Sequence, residues 1–245
     1  MTHKTKGIVL RTVQYGETSV ITAVYTELFG LQSYIIKGVR QSTKKTQSKQ
    51  MYFQPGAILE MEVYHNSLKN LQFIKEYKWH YLYNKVLFDV VRNAIAQFMI
   101  ELFHQSIKQP EGNPELFYLL EGSLLEADKG ADAIVANLPL YFILHLSTEL
   151  GFQLQGNYSN ETPVFDLHEG AFINNEPVNS NFVTGFFAET ISKIQSIQFY
   201  NDLENIKLNR QMRAQILNAL LQYISYHITD FKELKSLPVL KEVLA

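Results

Sequence analysis

The first eighty residues hold five β-patterned runs, and no stretch between them is long enough for a crossover helix. Such a chain must pair neighbouring strands antiparallel and close its edges on itself. Residues 7–15 are rich in β-branched side chains and read as a strand. Residues 20–28 form a second run, Phe29-Gly30 make a tight turn, and residues 31–39 return as a third. Pro55-Gly56 open a fourth, in which Ala57, Leu59, Met61 and Val63 alternate with Ile58, Glu60, Glu62 and Tyr64. That period of two implies one buried and one solvated face. A turn over 65–70 leads to a fifth run at 71–79. A small five-stranded barrel of the OB type leaves the fewest open edges.

From Asn84 the period changes to three and four. Leu87, Val91, Ala94, Ile95, Phe98 and Leu102 share one face of a helix that ends before Pro110. Asn113 and Pro114 cap and open a helix through Ala127. Residues 131–150 are helical, broken or restarted at Pro139, with Gly151 as the C-terminal cap. Residues 152–184 carry six Asn, two Gly and two Pro around short apolar pairs, and read as an excursion with one hairpin. Helices resume at 185–197, at 209–229 and at 238–244. The expected class is α+β: an antiparallel OB-fold barrel over 1–80, then an all-helical domain over 81–245 interrupted at 152–184.

Charge divides along the same line. Residues 1–80 carry eleven Lys/Arg against five Asp/Glu, a balance of +6. Residues 81–245 carry eleven against nineteen, a balance of −8. A basic strand-rich part joined to an acidic helical part suggests a polyanion-binding module fused to something with another task. The chain has no cysteine, which excludes thiol nucleophiles, disulfides and Cys-ligated metal sites. It has no Walker loop, dinucleotide fingerprint, HExxH or Gly-x-Ser-x-Gly. Asp166, His168 and Glu169 sit in one polar turn and make a poor metal set; His104, His145 and His227 read as histidines at core edges. No enzyme, no metal and no cofactor are expected. No apolar run approaches the ~18 residues of a membrane span, and the chain starts without an apolar signal core, so no membrane association and a cytoplasmic location are expected.

The basic positions gather in one region. Arg11, Lys37, Arg40, Lys44, Lys45 and Lys49 fall on the first and third strands and the loop after them, and residues 40–50 contain no apolar side chain. Tyr15, Tyr25, Tyr34, Tyr52 and Tyr64 interleave with them, as stacking platforms or as barrel core. Lys/Arg for phosphates plus rings for bases is how OB-folds hold single strands. Arg210 and Arg213 lie in the first turn of a long helix, where cations oppose the helix dipole. Either nearby carboxylates neutralise them or they face an anionic partner.

The segment Gly16-Glu17-Thr18-Ser19-Val20-Ile21-Thr22-Ala23-Val24-Tyr25-Thr26-Glu27-Leu28-Phe29-Gly30, with Lys37-Gly38-Val39-Arg40 closing the third strand, resembles the start of the RecO family of bacterial recombination mediators. Tyr226-His227, Leu234-Lys235-Ser236 and Val239-Leu240 resemble that family's ending, and the helical middle fits between. The resemblance implies an N-terminal OB-fold and a helical C-terminal domain. It implies binding of single- and double-stranded DNA, annealing of complementary strands and loading of the RecA recombinase. It implies RecR and the C-terminal tail of the single-stranded-DNA-binding protein as partners, and a nucleoid-associated place in the cytoplasm. The family motif carries over to Lys37 and Arg40 as DNA contacts; Arg11, Lys44, Lys45 and Lys49 are added on charge. An acidic tail ending in an apolar residue needs an apolar pocket with a cation at its rim, and Arg92, Lys108, Arg210 and Arg213 are the cations of the helical part considered for it. Many family members hold four-Cys zinc in the excursion, which this chain cannot do. The alternative is a single-stranded nucleic-acid-binding OB-fold adaptor of another pathway, RNA included.

Overall fold

A computed structural model of the chain describes residues 1–39, 49–108, 111–178 and 181–244. Strands β1 (Thr2–Tyr15), β2 (Ser19–Thr26), β3 (Gly30–Ile36), β4 (Ile58–Tyr64) and β5 (Leu71–Tyr81) close into a barrel in the order β1-β2-β3-β5-β4. Four seams are antiparallel. The fifth, β3 with β5, is parallel over Ser33–Leu71, Tyr34–Gln72 and Ile35–Phe73. One long strand makes closure possible: β1 pairs with β4 through residues 2–8 and with β2 through residues 7–15. Gly7 sits where both pairings meet, and a Cβ there would lie 2.7 Å from Val24 Cγ1 and 2.3 Å from Met61 Cε. A bulge between Val9 and Arg11 then re-phases the strand. Val9, Val20, Val24, Tyr34, Ile36, Leu59, Met61 and Val63 fill the interior. Each such side chain contributes roughly 1.5–3 kcal/mol by leaving water.

The fourth strand alternates as expected with one exception. Ile58 was expected on the solvated face but is fully buried. It lies in a registered outward row with Ile8 and Tyr25, all at 0% exposure. The reason is a cover. Residues 1–84 and 100–124 form one compact unit. Within it the Tyr25 ring meets Phe103 edge-on at 4.8 Å, and the Tyr25 hydroxyl donates to the Asn113 carbonyl at 3.4 Å. Lys6 Nζ donates to both Glu121 carboxylate oxygens at 3.0 Å.

The other compact unit comprises 85–99 and the chain from 125 onward. The helices are α1 (Val90–Ser106), α2 (Pro114–Lys129), α3 (Asp132–Glu149), α4 (Gly185–Gln195), α5 (Arg210–His227) and α6 (Leu237–Val243), with a 3-10 turn at Tyr200–Asn205. The period change begins at 84, but α1 starts at Val90, because the Asp89 carboxylate accepts from the Val91 and Arg92 amides. Asn113 caps α2 through the Leu116 amide, and Asn209 caps α5 through the Met212 amide. Helix α3 runs unbroken through Pro139, contrary to expectation. Twelve of its eighteen residues are buried, on all sides, and that packing outweighs the one amide lost to proline. The excursion holds three strands rather than one hairpin: β6 (Val164–Asp166) sits between β7 (Ala171–Ile173) and β8 (Phe182–Thr184). The Asp166 carboxylate accepts from the His168 and Glu169 amides at the β6–β7 turn. Among the described residues no three His, Cys, Asp or Glu are placed to hold a metal ion, and no helix is long and apolar enough to cross a membrane.

Candidate nucleic-acid interface

Strand alternation decides which barrel side chains point outward. On β2, Val20, Thr22 and Val24 are buried while Ile21 and Ala23 are half-exposed. On β3, Tyr34 and Ile36 are buried and Ile35 is half-exposed. On β5, Gln72 is buried and Phe73 is 45% exposed. The register then lines up a second outward row. Val13 faces Ile21, Ile21 faces Ile35, Ile35 faces Phe73, and Phe73 faces Tyr64. Val13 is 40% exposed and Tyr64 47%.

Two expected cations flank this row. Lys37 is exposed just past β3, and its ammonium stands 5.9 Å from the centre of the Phe73 ring. Val39, only 1% exposed, anchors the chain beyond it. Arg11 is exposed and faces Ala23, two residue pairs along from the Val13–Ile21 pair and so on the same outward side. Lys49 is half-exposed and opens a helical turn at 49–51. Arg40, Lys44 and Lys45 lie outside the described residues. Two of the nearby carboxylates are paired, and Glu76 stands opposite one of them. Glu62 bonds Lys75 at 2.9 Å, and contacts from Thr2 and Lys75 hold its carboxyl below the usual range. Glu60 bonds Lys78 and His80, which lower it likewise.

The tyrosines separate into two groups. Tyr15 and Tyr64 are exposed. Tyr25 and Tyr34 are core, and burial pushes both phenols upward, Tyr25 to about 12. Tyr52 stacks on Trp79 at 4.6 Å and packs against the barrel core. Phe73 and Ile35 were not among the sequence candidates. The signal was inverted, because Gln72 takes the interior place. Its amide donates to the Asn66 and Lys69 carbonyls and accepts from the Asn66 amide, pinning the β4–β5 turn.

The four cations considered for a protein partner stand in different settings. Lys108 is exposed and belongs to the barrel unit. Arg92 is 3% exposed, and its guanidinium donates to the carbonyls of Ala127 (2.8 Å) and Gly130 (3.0 Å) and to Asp132 (2.6 Å). It holds the C-terminal end of α2 and presents no charge at a rim. Arg213 is held by the Asn137 side chain at 3.1 Å and the Leu208 carbonyl at 3.1 Å. It lines a cleft of about 350 Å³ with Ala133, Ile206, Lys207 and Leu208. Arg210 is exposed at the start of the same helix.

Comparison with known proteins covers both parts. A family model described as "Recombination protein O N terminal" matches residues 1–83, and one described as "Recombination protein O C terminal" matches residues 87–238. The chain is 35% identical to a DNA repair protein RecO of Flavobacterium psychrophilum over 243 residues, 99% of each chain. It is 33% identical to one of Christiangramia forsetii over 98% of each, and 30% identical to one of Phocaeicola vulgatus over the whole of both.

Proposed function

The chain belongs to the RecO family of DNA repair proteins, and from that premise we propose that it is a recombination mediator rather than an enzyme. It binds single- and double-stranded DNA, anneals complementary strands and helps load RecA onto strands coated by the single-stranded-DNA-binding protein. RecR and the acidic tail of that coating protein are its partners. The observation that carries the reading is a full-length family match on a barrel whose open outer face bears Arg11 and Lys37. The cleft lined by Ala133, Ile206 and Leu208 together with Lys207 and Arg213, two cations against the single carboxylate of Glu204, suits an acidic tail that ends in an apolar residue.

DNA contact runs through Lys37, Arg40, Lys44 and Lys45, with Arg11 and Lys49 assisting. Each neutralised phosphate on a single strand adds roughly −0.7 to the slope of log affinity against log salt, so four give about −2.8. Phosphate contacts carry no base identity, so binding is weakly sequence-dependent. Fluorescence anisotropy with a labelled oligonucleotide at several salt concentrations tests this. Changing all four residues to Ala is expected to flatten the slope and impair annealing. An unchanged slope and affinity in the folded variant would move the DNA site off this part of the barrel.

A further inference from the structure

The barrel carries two outward apolar rows, and their fates differ. The Ile8–Tyr25–Ile58 row is closed to water by residues of its own unit, Phe103 among them. The Ile21–Ile35–Phe73–Tyr64 row has no such cover among the described residues, and its two rings stay nearly half exposed. A registered apolar row that ends in two exposed rings and keeps two half-buried isoleucines beside them marks a contact surface.

Resting on the reading that this barrel binds DNA, we propose that the open row is the track on which unpaired bases stack, with Phe73 and Tyr64 as its platforms. Three observations choose this occupant. First, the row crosses four adjacent strands, so its members step by about 4.8 Å. Bases in a duplex rise only about 3.4 Å, so bases laid along the row are spread apart and each meets its own side chain. Second, a cation is at hand for a backbone: the exposed Lys37 ammonium rests over the Phe73 ring, 5.9 Å from its centre, and a base that takes that ring face displaces it toward a phosphate. Third, two carboxylates along the β4 side, Glu60 and Glu62, are each paired with a lysine, Lys78 and Lys75, which leaves Glu76, opposite Glu62, as the acidic limit of the track on that side. A duplex hides its base faces and gains nothing from the rings. The row therefore separates single from double strands, whereas the cations serve both.

The test is Phe73→Ala with Tyr64→Ala in the full-length protein, with unchanged circular dichroism as the folding control. Anisotropy is measured with one oligonucleotide as single strand and as duplex. The double variant is expected to lose single-strand affinity by about tenfold or more, keep duplex affinity within about twofold, and keep the wild-type salt slope because no phosphate contact is removed. A 2-aminopurine base in the oligonucleotide should be quenched by wild type and not by the variant, and Phe73→Trp should restore binding. Lys37→Ala has the opposite signature, a slope shallower by about 0.7 on the single strand. Unchanged single-strand affinity in the double variant overturns the proposal, as does an equal loss on both forms. If the variant's only change is a shift from dimer to monomer in sedimentation, the row belongs to a second copy instead. If wild type binds neither form of DNA, the reading beneath the proposal fails first, and the proposal with it.

Discussion

Two buried side chains set the terms at the scale of single residues. Arg92 bonds three backbone carbonyls, those of Ala127, Asp128 and Gly130, where α2 runs out of following amides to cap them. Arg92→Ala leaves them unsatisfied away from water, and a loss of about 3 kcal/mol is expected by urea unfolding. Arg92→Lys recovers only part of it, because one ammonium cannot span the fork. His145 stacks on Tyr141 at 3.9 Å, and burial pulls its imidazole from 6.5 down to about 4. The folded form therefore holds the ring neutral where the unfolded chain takes up a proton. Stability is complete above pH 6.5 and falls as the pH drops toward 4, by on the order of 3 kcal/mol from this one group. His65, His104 and His227 are lowered too and add to the same slope. In urea midpoints at pH 7.5 and 4.5, His145→Gln is expected to lose less between the two than wild type. The helical pattern puts His145 at a core edge, where it lies, but offers Arg92 as a cation for a pocket rim, where it does not. Arg92 follows the polar side of a helical pattern, and its partners stand some 35 residues away, beyond any local signal.

Strands were more legible than helix ends at the level of elements. All five barrel strands follow from apolar spacing and turn residues, because a small barrel has one inside and alternation reports it. Alternation misled only where tertiary cover or a turn intervened: Ile58 is buried outside the barrel, and Gln72 is buried inside it. The start of α1 was misplaced because the apolar period runs through a turn that Asp89 ends. The continuity of α3 through Pro139 depends on neighbours that surround it. Gly7 is the position where β1 depends most on having no side chain. Gly7→Ala drives a methyl against Val24 and Met61 at the crossing of two seams. Met61 can swing its end away and Val24 cannot, so a destabilisation of about 1–3 kcal/mol is expected, read as a lower thermal midpoint with the same unfolding slope in urea.

Taken whole, the molecule divides differently from its charge. The basic stretch ends near residue 80, yet the compact unit containing the barrel takes in residues 100–124. A fragment ending at residue 84 would bare Ile8, Tyr25 and Ile58 together and leave Lys6 without Glu121. It is expected to bind an apolar dye and to lack the cooperative melt of the intact chain, which differential scanning fluorimetry would show. Finally, the barrel is closed through its shortest seam, three residue pairs between β3 and β5. Short seams are where a closed sheet breathes, so the amides of 33–35 and 71–73 should exchange their hydrogens by local opening well before the interior of β1 does. Ile35 and Phe73 stand on opposite lips of that seam. A strand of DNA lying across both would act as a staple, slowing exchange on either side and raising the melting point in step with its concentration. Filling the track and keeping the barrel shut are then one equilibrium.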